Sequence, residues 1–409
     1  MSPFYNSKEA QPAKLRETHL LSDLADLLSY AKNSCDYYRQ LLADIDVSAV
    51  NSRMQLSKLP ITRKSDLIKL QAAQRPFGGM TPKGGAVGRL FQSPGPIYEP
   101  EGDVHDWWRM GQAFFAAGFR AGDTVQNCLS YHLTPGGFIM DSGAKACGCT
   151  VIPAGPGQTD IQLEMIENLA PNGYCGTPSF LNILLEKAKL QGKDISAITK
   201  ALVSGEALTA SLKSTFGKAG IEVKQAYATA DIGLIAFESV SEQGLVVAED
   251  ILVEIVRPGS KNPVAEGEVG EVVVTSFNRD YPLVRFATGD LSAVLAGESE
   301  CGRSNMRLKG WLGRADQTTK VKGLFIHPEQ IERIRLHHSG LHKVRLVVSS
   351  QNNNDTICLR CELAEDALSS ADILAIQRSI RSVTQLSADV ELLAVGSLPD
   401  DGIVIEDSR

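Results

Sequence analysis

The sequence has no long apolar run and no strongly basic stretch. Of its 409 residues, 41 are Lys or Arg and 48 are Asp or Glu, which gives a formal net charge of −7. Without a basic face, the chain has little attraction for nucleic acid or anionic membranes. No apolar run approaches the ~18 residues of a membrane-spanning helix, and the opening MSPFYNSKEAQP is unlike a signal peptide. We therefore expect a soluble cytoplasmic protein with no nucleic-acid or membrane partner.

The cysteine pattern also lacks the features of a disulfide framework. Eight cysteines lie mostly in apolar or small-residue stretches, where a free thiol behaves as a small hydrophobe. Disulfide frameworks belong to small secreted domains, so we expect reduced thiols. Cys358 and Cys361 have CxxC spacing, but no second CxxC or His pair lies nearby. The spacing therefore does not favour a metal or redox site.

Several common catalytic motifs are missing. The chain contains no Gly-x-Ser-x-Gly elbow, no His-Glu-x-x-His zinc helix and no complete P-loop. Gly155-Pro-Gly157 lacks the third glycine of a dinucleotide fingerprint, and turn formation explains it better. These absences disfavour a Rossmann oxidoreductase, an α/β-hydrolase and a zinc protease.

The order of apolar segments predicts the fold class. From about residue 120, short apolar strands alternate with helical stretches, which is typical of βαβ units on a mainly parallel sheet. Residues 249–295 instead indicate antiparallel strands separated by Gly/Pro turns. The last ninety or so residues predict a compact α+β unit. We predict an α/β protein with a large N-terminal domain (1–314), which includes a β-rich subdomain, and a small α+β C-terminal domain (315–409).

Three short motifs carry the chemistry that can be inferred from residue type. Tyr227-Ala-Thr-Ala-Asp231 and Phe286-Ala-Thr-Gly-Asp290 each end a predicted strand, and Gly313-Arg314 follows further along. Together they offer an aromatic face, a carboxylate able to accept two ribose hydroxyls, and an arginine able to contact phosphate or ribose. The loops beyond the carboxyl ends of parallel strands are where such sheets bind ligands.

Taken with further segments, these motifs resemble those of a known family. The segments are YYRQLL, LPITRKSDL, GTPSF, SGEAL, FATGDLS, GRADQTTKVKGLFIHPEQIE and GSLPDDG. The chain is similar over nearly its whole length to the adenylate-forming, AMP-producing acyl-CoA ligases, in the phenylacetate–CoA ligase-like branch. The resemblance implies ATP/AMP, coenzyme A and Mg²⁺ as cofactors, a small, aromatic or medium-length carboxylic acid as substrate, and a homodimer. It also implies that residues 1–314 bind nucleotide and acid and that residues 315–409 form a mobile lid.

The resemblance assigns nucleotide contacts residue by residue. It implies that Ser204-Gly-Glu lines the adenine, that Tyr227 stacks on it, that Asp290 binds the ribose and that Arg314 contacts ribose or phosphate. The implied cofactor-binding residues are Ser204, Gly205, Glu206, Ala207, Tyr227, Ala228, Thr229, Asp290, Arg314, Lys322 and Gly323.

The resemblance also implies catalytic, substrate and hinge residues. Asp231 matches the acidic residue that holds Mg²⁺ near the α-phosphate, and Asp316 matches the hinge of the lid. The implied catalytic residues are Asp231, His132 and Lys320, and the implied substrate-pocket residues are Tyr131, His132, Gly136 and Gly155. For Tyr131 and His132, a packed aromatic and a hydrogen-bonded loop histidine explain the residues equally well.

The sequence departs from the family pattern in the phosphate-binding elements. The stretch Ser93-Pro-Gly95-Pro-Ile-Tyr-Glu99-Pro replaces the usual Ser-Ser-Gly-Thr-Thr-Gly-Lys-Pro, so prolines remove N–H donors and a glutamate replaces the lysine. Ile403 stands where a catalytic lysine is usual, and losing such a cation typically costs a few kcal/mol of transition-state stabilisation. We therefore expect a degenerate phosphate loop with few donors and one like charge.

The sequence also departs from the family pattern at the residues that form a zinc site in some members. Some members of the branch carry a metal site built from a Cys after the tyrosine motif, a His and a Cys-x-Cys. Here Ser239 and the run Ser299-Glu300-Cys301 leave one thiolate, and a structural zinc needs four ligands. We expect no structural zinc.

Two functions follow from this mixture of retained and altered elements. The first is an AMP-forming acid–CoA ligase in which Lys320, Lys322 or a remodelled loop supplies the missing charge. The second is a catalytically impaired homologue that binds AMP, an acyl-adenylate, CoA or an aromatic acid without turnover. The two share a fold and a pocket and differ in turnover.

Overall fold

The computed structural model describes residues 3–85, 87–93, 96–240, 243–315, 317–338, 340–351, 354–363, 373–399 and 403–409. The contacts between residues divide the chain into two compact units, Met1–Trp311 and Leu312–Arg409. The predicted boundary, after residue 314, lies three residues beyond this division. In the described residues, no helix combines the length and apolar character that a membrane crossing needs.

The first unit contains α-helices and short 3₁₀ turns. The α-helices are α1 (Ala13–Ser34), α2 (Asp36–Leu41), α3 (Arg53–Leu56), α4 (Leu67–Ala73), α5 (Gly111–Ala116), α6 (Gly136–Ala146), α7 (Thr159–Leu169), α8 (Pro178–Gln191) and α9 (Ala210–Lys218). The 3₁₀ turns are Ser7–Ala10, Val47–Ala49 and Lys64–Asp66.

The strands of the same unit are β1 (Thr62–Arg63), β2 (Arg89–Ser93), β3 (Ile97–Glu101), β4 (Thr124–Asn127), β5 (Thr150–Pro153), β6 (Gly173–Gly176), β7 (Lys200–Val203), β8 (Glu222–Thr229), β9 (Gly233–Phe237), β10 (Leu245–Val247), β11 (Ile251–Val256), β12 (Gly270–Ser276), β13 (Leu283–Ser292), β14 (Val294–Leu295) and β15 (Arg307–Leu308).

Local sequence signals explain the helix ends and faces. In α1, Leu24, Leu27, Leu28 and Ala31 are buried, and their spacing forms one apolar stripe along the helix. At the start of α8, the side chain of Thr177 accepts a hydrogen bond from the Phe180 amide, and Pro178 occupies the first turn. The helix stops at Gly192, which adopts the left-handed conformation common at helix ends.

A large mixed sheet forms the centre of the first unit. In the described residues its strand order is β14-β15-β10-β9-β8-β7-β6-β4-β5. The segment from β8 to β5 is parallel, whereas β9, β10, β15 and β14 pair antiparallel. The parallel strands therefore end at one common edge, where the loops after β4, β5, β6, β7 and β8 meet.

A second sheet has the order β1-β13-β12-β11 and carries Asp290 on β13. Strands β11, β12 and β13 pair antiparallel, as the Gly/Pro-punctuated segment 249–295 predicts. A separate hairpin joins β2 to β3, with Phe91 opposite Glu99 and Ser93 opposite Ile97.

The second unit is a small α+β domain. Its elements are β16 (Thr319–Val321), β17 (Leu324–Ile326), α10 (Pro328–His337), β18 (Leu341–Gln351), β19 (Asn354–Leu363), α11 (Ile373–Thr384), β20 (Asp389–Ala394) and β21 (Ile405–Asp407). Its main sheet has the order β20-β19-β18-β21 over the described strands. Residues of α10, α11 and this sheet form a separate hydrophobic core. The predicted α/β class is confirmed. In this unit, β16, β17 and β21, each three residues long, had no sequence prediction.

Candidate active site

Many of the site residues predicted in the first unit lie in the loops at the common edge of the parallel strands. Tyr131, His132 and Gly136 follow β4, and Gly155 follows β5. Ser204, Gly205, Glu206 and Ala207 follow β7, whereas Ala228 and Thr229 end β8 and Asp231 lies in the turn to β9. The loop after β7 is linked to its neighbour, since the Ser179 amide donates to Glu206 Oε2 at 3.4 Å.

Asp290 is held by side chains from two other parts of the unit. The Tyr227 hydroxyl, on β8, donates to Asp290 Oδ2 at 2.8 Å. The indole Nε1–H of Trp311 donates to Asp290 Oδ1 at 3.1 Å. The Asp290 backbone amide donates to Thr288 Oγ1 at 3.1 Å. The predicted ribose-binding carboxylate and the predicted adenine-stacking tyrosine are thus in direct contact, at the junction of the two sheets.

A buried ion pair lies at the end of β8. Lys64 Nζ lies 2.5 Å from Asp231 Oδ2, and the Asp231 side chain is 0% exposed whereas that of Lys64 is 25% exposed. Oδ1 of Asp231 has no hydrogen-bond partner among the residues that the structure describes. Sequence analysis quoted LPITRKSDL as a family segment but assigned Lys64 no role. The contact joins residues 167 positions apart, which no local pattern could reveal.

Glu99 is the residue that replaces the phosphate-loop lysine, and it points into the protein. Glu99 lies on the same buried face of β3 as Ile97 and Glu101, because every second residue of a strand points to the same side. It is 1% exposed. The Ser93 hydroxyl on β2 donates to Glu99 Oε1. Burial, and then the nearby negative charge of Asp231, raise the pKa of Glu99 to about 8, although Lys64 and Ser93 act in the opposite direction. The carboxyl therefore lies inside the protein, and its raised pKa favours the protonated form near neutral pH.

This environment predicts a pH-dependent contribution to stability. A folded-state pKa raised from 4.5 to about 8 means that the folded state binds the proton more tightly than the unfolded state. The contribution of Glu99 is therefore fully present below about pH 4.5 and declines as the pH rises to about 8. We expect Glu99→Gln to remove this decline. Urea unfolding of both proteins between pH 5 and 9 measures it, and parallel pH profiles would contradict it.

The loops after β4 and β5 contain the residues predicted to line the acid pocket. Buried side-chain amides hold both loops in place. Asn127 Nδ2 donates to the Tyr131 hydroxyl at 2.7 Å and to the Gly137 carbonyl at 2.8 Å. The Tyr131 ring packs edge-on against Phe138 with centroids 5.1 Å apart. His132 is exposed, and its backbone amide donates to Ser130 Oγ at 3.1 Å. Tyr131 thus has the contacts of a packed aromatic.

Gln162, on α7, fixes the loop after β5 by side-chain hydrogen bonds, as Asn127 fixes the loop after β4. Its buried Nε2 donates to the carbonyls of Gly155 and Gly157, both at 2.7 Å, and its Oε1 accepts from Gln126 Nε2 at 2.9 Å. Gly155 and Gly157 have φ of 68° and 78°, and a Cβ built on either would meet no atom within 4 Å. The loop therefore has a fixed backbone bordered by open space. No sequence motif pointed to Gln162.

The predicted residues of the second unit lie on and before its small hairpin. Arg314 is half-buried in the segment before β16. Lys320 is on β16, with Nζ 5.9 Å from the centroid of the Phe325 ring. Lys322 and Gly323 form the turn between β16 and β17 with φ of 48° and 84°, as a tight hairpin requires. Gly95 of the phosphate loop and the predicted hinge Asp316 lie outside the described residues.

The residues that the family resemblance aligned with a zinc site form a hydrogen-bonded cluster around the thiol of Cys301. Ser239 Oγ and Ser299 Oγ each lie 3.1 Å from Cys301 Sγ. Partial burial raises the pKa of Cys301, but hydrogen bonds from these hydroxyls and from Arg303 lower it to about 7 overall. One thiol and two hydroxyls do not form a zinc ligand set. Across the described ranges, no group of three or more His, Cys, Asp or Glu side chains is arranged to hold a metal.

The chain is similar to known proteins over most of its length. Residues 104–278 match the model of the AMP-binding enzyme family. Phenylacetate–coenzyme A ligase of Thermus thermophilus is 28% identical over 360 residues, which cover 84% of this chain and 80% of the relative. The enzyme of the same name from Escherichia coli K12 is 27% identical over 398 residues, 91% of this chain and 89% of the relative.

Among solved structures, 2-hydroxyisobutyryl-CoA ligase in complex with 2-HIB-AMP and CoA superposes with a TM-score of 0.82. The identity is 23%, and the match covers 100% of this chain and 93% of that one. At this identity the likeness establishes the fold. The AMP-binding enzyme match and the phenylacetate–coenzyme A ligase relatives support the adenylate-forming, phenylacetate–CoA ligase-like branch of AMP-forming acid–CoA ligases that the sequence motifs predict.

Proposed function

We propose that the protein activates a small aromatic carboxylic acid as its acyl-adenylate and transfers the acyl group to coenzyme A. The observation that carries the proposal is the Asp290 carboxylate, fixed by Tyr227 and Trp311 at the junction of the two sheets. A fixed carboxylate of this kind can accept both hydroxyls of a ribose. Tyr227 presents its ring beside that position, which suits stacking on a purine.

In the first step, a carboxylate oxygen of the acid attacks the α-phosphorus of ATP and pyrophosphate leaves. In the second, the thiolate of coenzyme A attacks the acyl carbon and AMP leaves. The first step needs positive charge near the phosphates, because negative charge is spread over the transferring phosphoryl group. Lys64 is the cation that the described first unit places beside Asp231, so we assign it this electrostatic role. Protonation of Glu99, which its raised pKa favours, would remove its electrostatic repulsion of the phosphates.

The carboxylate of Asp231 is also suited to binding Mg²⁺. Asp231 Oδ1 is buried and, within the described ranges, has no hydrogen-bond partner, and carboxylate oxygen is a ligand that Mg²⁺ prefers. When bound, Mg²⁺ would neutralise phosphate charge. Asp231 would then hold the ion through Oδ1 while Oδ2 keeps its contact with Lys64.

The choice of an aromatic acid is supported by the names of the phenylacetate–coenzyme A ligases to which the chain is similar. The test is acid-dependent release of pyrophosphate from ATP over a panel of aryl and aliphatic acids, followed by detection of the CoA thioester. We expect aryl acids to give the highest rates. Equal or higher rates with short aliphatic acids would contradict the aromatic preference.

A second candidate is a homologue that binds AMP, an acyl-adenylate or CoA without turnover. It is favoured by Ile403, an apolar residue at the position of the usual catalytic lysine. Absence of pyrophosphate release across the panel, together with calorimetric binding of AMP or CoA, would support this candidate over the ligase.

Replacing Ile403 with lysine should raise the rate of adenylation. The Ile403 side chain is 37% exposed, and its carbonyl accepts a hydrogen bond from Arg345 Nε at 3.2 Å, so a lysine can be accommodated without loss of this backbone contact. Restoring a cation of this kind can contribute about 2–4 kcal/mol to the transition state, and we expect at least a tenfold gain. Pyrophosphate release measures the change, with Ile403→Gln as the uncharged control of similar length. Equal rates for the lysine and glutamine variants would rule out the missing charge as the cause of a low rate.

A further inference from the structure

Trp311 makes a contact that its exposure would not suggest. It is one of three tryptophans in the chain. Trp107 and Trp108 are buried, whereas Trp311 is 39% exposed. Its indole Nε1–H nevertheless donates to Asp290 Oδ1 at 3.1 Å. An exposed tryptophan whose only polar atom is directed at a buried carboxylate requires a reason beyond packing.

The backbone beside Trp311 is also attached to β13. The Ser292 hydroxyl donates to the Gly310 carbonyl at 2.6 Å. Ser292 and Asp290 lie two residues apart on the strand, and Gly310 and Trp311 are adjacent. Two side-chain hydrogen bonds therefore join the same two segments, and together they place the indole at Asp290.

The chemistry of a carboxylate explains what this placement can do. The last torsion of an aspartate side chain is broad, so the plane of its two oxygens must be fixed by neighbouring groups. Tyr227 donates to Oδ2 and Trp311 donates to Oδ1, so each oxygen accepts from a different side chain. An ionised carboxylate offers about four acceptor positions, two on each oxygen, and it can accept both hydroxyls of a vicinal diol only when the plane of the two oxygens is suitably oriented.

We propose that Trp311 is a positioning residue that orients Asp290 for the two hydroxyls of a ribose and thereby sets the preference for ribonucleotides. The proposal rests on the proposed nucleotide site and adds a residue to it. Trp311 acts through Asp290. Its contribution therefore exists only for ligands that use both carboxylate oxygens, and a nucleotide without the diol gains nothing from it.

The test compares AMP with 2′,3′-dideoxy-AMP in the full-length chain by isothermal titration calorimetry. Trp311→Phe keeps an aromatic ring and removes the N–H donor. Leu312→Ala, at a neighbouring exposed position, is the matched control. We expect Trp311→Phe to raise the Kd for AMP by about five- to tenfold, less than the loss of a direct charge-assisted hydrogen bond to the ligand, because Trp311 acts through Asp290. The Kd for dideoxy-AMP should change by less than about twofold, and the control should behave as the wild type.

The alternatives are distinguishable. Equal weakening of both nucleotides in Trp311→Phe would show a general structural role and overturn the proposal, as would an unchanged Kd for AMP. If the wild type binds AMP more tightly than dideoxy-AMP, a nucleotide site that recognises the ribose diol stands whatever the tryptophan variant does, and Asp290→Ala then tests its position. If the wild type binds the two equally, or binds neither, the nucleotide site itself is wrong and the inference fails with it. Circular dichroism of each variant confirms that the fold is retained.

Discussion

Lys64→Ala should both destabilise the first unit and suppress adenylation. Removing the ammonium leaves Asp231 as a buried carboxylate without its cation, since the Asp231 side chain is 0% exposed. Breaking a buried ion pair on one side typically costs about 3–5 kcal/mol, and because Lys64 is a quarter exposed we expect a value near about 3 kcal/mol. Urea unfolding gives the stability, and pyrophosphate release gives the rate.

Two further variants make this prediction specific. In the double variant Lys64→Ala/Asp231→Asn the uncompensated charge is absent, so much of the lost stability should return. Lys69→Ala, at an exposed position on α4, should change the free energy of unfolding by no more than about 0.5 kcal/mol. If Lys64→Ala resembled Lys69→Ala in both stability and rate, the pair would have neither of the roles assigned to it.

Asp290→Ala should weaken AMP binding by about 1.5–3 kcal/mol, the usual range for hydrogen bonds to a charged group, which is roughly ten- to 150-fold in Kd. The effect should be large because the carboxylate is the acceptor for the ribose, and because Tyr227 and Trp311 both lose the partner that orders them. Isothermal titration calorimetry with AMP measures it.

Asp290→Asn is the matched control, because the amide keeps one carbonyl oxygen but introduces a donor where Tyr227 or Trp311 already donates. We expect its affinity for AMP to be reduced, though less than that of the alanine variant. Unaltered AMP affinity in Asp290→Ala would place the ribose elsewhere.

Much of the fold could be predicted because its signals are local. The alternation of short apolar strands with helical stretches predicted the parallel strands β4 to β8, and the Gly/Pro turns of 249–295 predicted β11 to β13. In the second unit, β16, β17 and β21 were missed because three residues are too few to show a period, and β21 is defined by pairing with β18. Asp290 and Tyr227 could be proposed as site residues because the motifs that contain them have a recognisable order and spacing, and the structure brings their side chains into contact.

The residues that sequence analysis missed depend on contacts between distant segments. Lys64 meets Asp231 across 167 positions, and Trp311 meets Asp290 across 21. The raised pKa of Glu99 could not be predicted from the sequence either. It depends on which face of the β2–β3 hairpin is buried and on the neighbouring Asp231. Residue type alone suggested a repelling charge in the phosphate loop, whereas burial raises the pKa of the side chain and favours its neutral form.

The central claim is that this chain forms an acyl-adenylate, and exchange of labelled pyrophosphate into ATP tests it most directly. The exchange reports the first step alone, so it does not depend on coenzyme A or on the acyl acceptor. We predict exchange that requires an added carboxylic acid, is fastest with an aryl acid, and falls at least tenfold in Asp290→Ala. Exchange that stays at the acid-free background for every acid, in wild-type protein shown by calorimetry to bind AMP, would contradict the claim.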